Sequence, residues 1–335
     1  PVNRLVYAAA LLCVGTAALL LAAVKVYAES EERSVLAERR SEYDKKKRWG
    51  VSLLGHECYK AFRSQRLLLV LAVAAAVSVP YLKTITVENG NSLEELFFRV
   101  YSSHAEGTYT DEISEYIKQK RDEVFLNMSR PEVQQRERAV YETMLLALSK
   151  MSEYEAYLSE HENSYYLNRP AYITLTGGNG AANRKQILTN MLMYAFAIVC
   201  FVLTMSVDYQ RGENRLVHST KRGRWHYAIA KVFIGMLVSL ILLALFQVPT
   251  LKRLLATDGT EYIFAPAYSL QHLSWVGGGI SIGGYLCLLY AARFAGLLLV
   301  MAFSYLTVRK VKSSIVAIVC VCAVVEIPLA VMLLV

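Results

Sequence analysis

Along the chain, long unbroken apolar runs alternate with polar stretches, and within the runs there is neither the helical period of a half-buried surface helix nor the alternation of a strand. The runs cover residues 4–25, 66–85, 187–207, 228–249, 279–306 and 314–335. At about 1.5 Å per helical residue each can cross a hydrocarbon core of about 30 Å. Only helices can do so here, because the ten-residue alternating segments of a membrane barrel are absent. The pattern therefore predicts an all-α fold, a polytopic integral membrane helical bundle. Its first run, apolar from Leu5 to Val24, exceeds the usual 7–15 residues of a signal-peptide core and reads as a true span.

The polar stretches predict elements of their own. Thr110-Asp111-Glu112 is an N-cap followed by an acidic first turn, opening a helix to about Asn127. Ser129-Arg130-Pro131-Glu132 has the residues of a capping box, and a second helix follows to about Lys150. Ile113, Ile117, Val124 and Phe125 on the first helix would face Val133, Val140, Met144, Leu145 and Leu148 on the second, as in an antiparallel hairpin. Nine tyrosines lie between 101 and 172, suited either to gripping a ligand or to packing and interfacial anchoring. Gly177-Gly178-Asn179-Gly180 reads as a flexible link.

Composition agrees with a bilayer as solvent: 55% of the 335 residues are hydrophobic and 19% charged, against roughly 25% charged in ordinary soluble domains. Charge then orients the spans. Residues 25–66 carry eleven Lys/Arg, including Lys45-Lys46-Lys47-Arg48, which places them in the cytoplasm. By alternation 86–186 is extracytoplasmic, 208–227 is cytoplasmic with Arg211, Arg215, Lys221, Arg222 and Arg224, and 307–313 is cytoplasmic with Arg309, Lys310 and Lys312. Lys252 and Arg253 fit least well and would snorkel at the outer interface. The segment 83–186 holds twelve basic and sixteen acidic residues, so the +8 of the whole chain resides on the cytoplasmic side. An anionic phospholipid surface accounts for it, without nucleic acid.

Catalytic and metal chemistry find no foothold. His56-Glu57 lacks the second histidine of a zinc-protease helix, the six cysteines lie in or beside the spans, and Cys320/Cys322 are wrongly spaced for a metal or redox pair. No Gly-x-x-x-x-Gly-Lys-Ser/Thr loop is present, so no nucleotide phosphate is held in that way. Arg293 and Glu326 are the two charges well inside apolar spans, and an isolated charge there costs at least about 2.5–3.5 kcal/mol. Counted from the cytoplasmic turn both lie on the order of 18–20 Å deep. They are expected either to pair directly or to face one polar cavity; the alternative is that Arg293 snorkels and Glu326 is hydrated near the outer surface.

Before the second span, Val51 to Ser64 is amphipathic, with Leu54, Cys58, Ala61 and Phe62 on one face, and should lie along the inner membrane surface. Leu53, Glu57, Lys60 and Arg63 follow the form Leu-x-x-x-Glu-x-x-Lys then Arg. After the next span come Asp208, Gly212, Ser219, Thr220, Gly223, Arg224 and Lys231. In these residues the chain resembles the type-two, export-class ATP-binding-cassette permeases, over roughly 50–335. Asp208 departs from the commoner glutamate, keeping the chemistry and shortening the reach.

The resemblance implies a membrane-spanning subunit with no ATP site of its own, coupled to a separate ABC ATPase that binds ATP and Mg and drives export of a peptide, lipid or hydrophobic drug. It makes 208–227 a coupling loop, with Glu57, Asp208, Gly212, Glu213, Arg215, Ser219, Thr220 and Arg224 at the ATPase contact. It also makes residues 1–25 the last span of a preceding permease half, 26–65 a cytoplasmic linker and elbow helix, 66–85 a span, and 187–335 a four-span bundle. The expected setting is the inner or plasma membrane, beside a second permease half or chain. The other function class is a non-transporting sensor or resistance scaffold that relays external ligand binding to a cytoplasmic ATPase.

Overall fold

The computed structural model describes residues 53–64, 67–83, 92–161, 163–178, 180–210, 223–276, 279–311 and 313–334. The first expected span, 4–25, lies outside them. Helix dominates. An amphipathic helix α1 (Leu53–Tyr59) continues as a π-helical turn, Lys60–Ser64, and α2 (Leu67–Lys83) follows at a bend of 53°. Then come α3 (Leu93–Ala105), α4 (Asp111–Met128), α5 (Gln135–Ser159), the short α6 (Pro170–Thr176), α7 (Gly180–Gln210), α8 (Gly223–Asp258), α9 (Ile282–Val311) and α10 (Ser314–Leu334). Two-residue strands β1 (Gly107–Thr108) and β2 (Tyr165–Tyr166) pair antiparallel, Gly107 opposite Tyr166.

Among the described residues four helices are long and apolar enough to cross a membrane, over 183–206, 227–257, 282–311 and 314–333; the bent α1–α2 pair would make a fifth. Of the four, α7 is the most enclosed by protein and α10 the least. Large apolar side chains therefore stand exposed along α10, among them Val319, Ile327 and Met332. A lipid-facing helix needs such a surface, and a water-facing one would not keep it. α8, with 36 residues, is about 54 Å long at 1.5 Å per residue, more than a hydrocarbon core requires. Lys252 and Arg253 are exposed on its last two turns.

The chain divides into two compact units. In one, comprising the described residues up to Leu82 and those within Ile187–Val248 and Arg293–Val335, α7 supplies much of the core through Met193, Phe196, Ile198 and Phe201. Phe196 meets Phe246 of α8 with ring centroids 6.1 Å apart. Close packing of α8 on α9 depends on Gly235, where a Cβ would lie 2.0 Å from the Met301 sulfur.

The other unit comprises Lys83–Gln186 and Pro249–Ala292. Here α5 packs against α4, as the expected hairpin requires, and also against α3, which makes the arrangement three-helical. Ile117, Val124, Leu148 and Met151 are buried as the apolar spacing requires, whereas Phe125 is 58% exposed and Val133 precedes α5. Ser129 does not open a helix. It closes α4, its N–H and its hydroxyl both donating to Phe125 O at 3.1 and 2.8 Å. The capping box is one turn later, at Gln134 and Glu137. The reversal of direction needs the residues around Pro131, whose fixed φ suits a turn as well as a helix start.

The tyrosines are used for packing. Tyr157 donates to Tyr268 O at 2.7 Å, Tyr172 to Gly259 O at 3.0 Å and Tyr109 to Glu155 at 2.8 Å, while Tyr154 donates to Ser269 O. Burial first, and then the Glu155 carboxylate, push the Tyr109 phenol up to about 12. The expected flexible glycine link is ordered at its start. Gly177 ends α6 in the left-handed region (φ 75°), and Gly178 lies against His272, where a Cβ would come within 2.5 Å of the ring. α9 starts later than the apolar run because 280–283 hydrogen-bonds to 263–267, with Ala267 N–H to Ile280 O at 2.8 Å and Gly283 N–H to Ile263 O at 2.7 Å.

Candidate functional site

Two polar constellations are built into the apolar unit. The first begins on α1, where spacing buries Glu57 and Lys60 beside Ala61 while Leu54 remains exposed. The inward face is thus partly charged, and of the expected apolar face Ala61, Cys58 and Phe62 pack against the same core while Leu54 does not. Glu57 is answered by Lys231, on the third turn of α8: Nζ lies 3.0 Å from Glu57 Oε2. The same ammonium donates to Thr204 O of α7 at 3.1 Å and sits 5.4 Å from the Tyr227 ring centroid. Both charged side chains are under 10% exposed. Breaking such a pair strands a charge and costs about 3–5 kcal/mol, even where the intact pair adds little net stability.

One cation therefore joins three elements. It fastens α1 to the end of α7 and the start of α8, the two helices that flank residues 211–222. Of the expected coupling residues, Glu57 belongs to this junction. Asp208 lies in the last turn of α7 and Arg224 in the first turn of α8, with side chains outside the described residues. Gly212, Glu213, Arg215, Ser219 and Thr220 lie outside the described residues.

The second constellation surrounds Arg293. Only 8% exposed in α9, it donates from Nη1 to Gln247 Oε1 of α8 at 2.6 Å. Gln247 in turn donates from Nε2 to Asn190 Oδ1 of α7 at 3.3 Å. One turn beyond Asn190, the Tyr194 hydroxyl reaches a place on α9 where Gly296 has no side chain; a Cβ there would lie 2.5 Å from that oxygen. Tyr194 is within electrostatic range of both Arg293 and Glu326. On α10, Glu326 Oε1 is shut off from solvent and has no hydrogen-bond partner among the described residues. Four helices thus each present polar groups to one locality between apolar faces.

Comparison with protein-family models, curated proteins and solved structures finds no match to this chain.

The site must therefore be read from its own chemistry. Among the described residues no three His, Cys, Asp or Glu side chains gather as a metal would need. What the two constellations offer is mechanical and electrostatic. One is a buried ionic joint among three helices, and the other is a charged hydrogen-bond chain across three helices with a carboxyl on a fourth. Sequence reasoning gave both ionisable residues of the second but not Asn190, Tyr194 and Gln247. The signal was available: uncharged polar residues inside apolar runs, with Asn190 and Tyr194 four apart on one face.

Proposed function

We propose that this chain is the membrane-spanning permease subunit of an ATP-binding-cassette exporter, driven by a separate ATPase that binds ATP and Mg. The observation that carries the reading is the Glu57–Lys231–Thr204 junction. A loop pushed by a partner can do transport work only if its motion reaches the spans, and a flexible hinge would dissipate it. Here the helices on both sides of 211–222 are fastened to one another and to α1 through a single buried ammonium. Displacement of the loop is then passed to α7, α8 and the α1–α2 elbow together. Asp208, Gly212, Glu213, Arg215, Ser219, Thr220 and Arg224 form the ATPase contact in this reading, with Gly212 allowing a tight turn.

In this reading 208–227 and 307–313 are cytoplasmic and 86–186 lies outside, which the basic composition of those loops supports, in an inner or plasma membrane beside a second permease half or chain. Substrates are peptides, lipids or hydrophobic drugs. The test is to isolate the native complex and identify its ATPase, then reconstitute both in proteoliposomes. A copurifying nucleotide-binding subunit, whose turnover drives substrate movement and is lost in Gly212→Val, is the expected result. A native complex without any ATPase would sink the reading; ATP turnover without movement would transfer the function to a sensory relay.

A further inference from the structure

The connection between α8 and α9 holds two large aromatic side chains outward on an ordered backbone. Its inner side is packed, with Ala267, Leu270, Leu273 and Val276 buried in one cluster with Tyr172 and Leu254. Ala265 O accepts from Ile282 N–H at 2.9 Å and Ile263 O from Gly283 N–H at 2.7 Å, which ties this stretch to the first turn of α9. Phe264, between those two carbonyls, is nevertheless 85% exposed. Trp275 is 73% exposed and meets the Tyr285 ring edge-on, with centroids 6.2 Å apart. Both aromatics therefore stand at the level of the first turn of α9.

The helix itself sets what that level is. Arg309 and Lys310 lie in the last turn of α9 and mark one edge of the hydrocarbon core. Counting back from Val308, about twenty residues at 1.5 Å each cover a core of about 30 Å and end near Leu289. Tyr285 is then about 6 Å beyond the core, inside a headgroup layer of about 5–7 Å on each side. Leu288, one turn nearer the core than Tyr285, is exposed as a lipid-facing side chain must be, so the apolar surface of the span runs on into this layer. On α8 the same count from Ile229 ends at Val248, both exposed, and places the exposed Lys252 and Arg253 at phosphate level. Water is a poor solvent for a phenyl ring and an indole, whereas the interface takes up the rings and offers ester and phosphate oxygens to the indole N–H.

We infer that the connection 259–281 is a membrane-surface anchor, with Phe264 and Trp275 seated among the phospholipid headgroups of the leaflet remote from Arg309 and Lys310. The loop then rests on the bilayer by these two rings while its packed side faces the protein. With 30 residues, α9 is about 45 Å long, more than the core requires. The anchor fixes where the excess length goes, holding the first turn of α9 in the headgroup layer and preventing the helix from sliding along its axis. The inference requires that α8 and α9 span a bilayer, and it does not depend on the transport reading.

The experiment uses the purified full chain, one copy to each phosphatidylcholine nanodisc. Trp49→Phe together with Trp225→Phe leaves Trp275 as the sole tryptophan. Its emission should be quenched several-fold more by phosphatidylcholine brominated near the glycerol end of the acyl chain than by lipid brominated near the methyl end, and scarcely by aqueous iodide. Phe264→Trp, with every native tryptophan replaced by phenylalanine, should give the same profile. The unaltered chain supplies a readout that needs no variant. Hydroxyl-radical oxidation mapped by mass spectrometry should modify Phe264 several-fold less than Phe125, although Phe125 is the less exposed of the two in the protein alone. Ready quenching by iodide without quenching by brominated lipid overturns the inference. Stronger quenching by the deep bromine does so too, as does shielding from all three quenchers, which would mean that protein covers the ring. If the variants fail to fold, oxidation of Phe264 equal to or above that of Phe125 is the overturning result.

Discussion

Lys231 Nζ of α8 stands 3.0 Å from Glu57 Oε2 of α1 and 3.1 Å from Thr204 O of α7, with both charged side chains buried. Removing either charge alone leaves the other in a low-dielectric interior. Glu57→Gln and Lys231→Met should each cost about 3–5 kcal/mol, whereas the double change should cost far less than their sum. Unfolding in mixed detergent micelles measures the cycle. Additive losses would mean that the two charges are separately solvated.

Gly235 makes a second, purely steric statement. A side chain there meets Met301, whose sulfur is 2.0 Å from the position of the added Cβ. Gly235→Val should destabilise by about 1–3 kcal/mol through overpacking. Met301→Ala in the same chain should restore part of the loss by giving the branch room. A Gly235→Val protein as stable as the original would show that α8 and α9 can separate without cost.

How much of this was legible in the sequence depended on whether local signals or distant partners decided the outcome. The later spans were legible because an apolar run of that length has few alternatives, and Asp111 opens α4 where its cap and acidic turn lie. Ser129 was misplaced because one serine can serve the end of one helix as well as the start of the next. Only the length of the reversal around Pro131 decides between them. The tyrosines could not be assigned from sequence, since Tyr157 finds its acceptor at Tyr268, 111 residues away. Within the site, Arg293 was visible as a charge in an apolar run, but its acceptor Gln247 lies 46 residues earlier on another helix.

His272 should make the polar helical unit acid-sensitive. Its Nε2 lies 2.7 Å from Thr176 Oγ1, whose own proton goes to Tyr172 O at 2.6 Å, so the ring nitrogen donates to the hydroxyl. Burial holds the imidazole below its usual 6.5. The unfolded chain therefore binds the proton more readily than the folded one, and this contribution to stability is present above about pH 6.5 and is lost as the pH falls below it. Hydrogen exchange across 170–178 should accelerate on acidification. His272→Gln should flatten that dependence relative to the original protein. Parallel profiles for the two would exclude the ring as the source.

The last prediction ranks the members of the intramembrane chain. Arg293 donates to Gln247 at 2.6 Å, a short bond from a charged donor, whereas the onward bond from Gln247 to Asn190 is neutral and 3.3 Å long. A hydrogen bond to a charged group is worth about 1.5–3 kcal/mol, while neutral side-chain bonds between membrane helices average about 0.6 kcal/mol. Gln247→Leu should therefore destabilise the bundle several-fold more than Asn190→Leu, because it removes the acceptor of a charged donor and not merely of an amide. Gln247→Glu gives Arg293 an anionic acceptor at nearly the same place and should retain most of the stability. Unfolding of the three variants in detergent micelles fixes the order. If Asn190→Leu proves as damaging as Gln247→Leu, the network acts as one polar unit, and the pairwise strengths inferred from the two bond lengths are wrong.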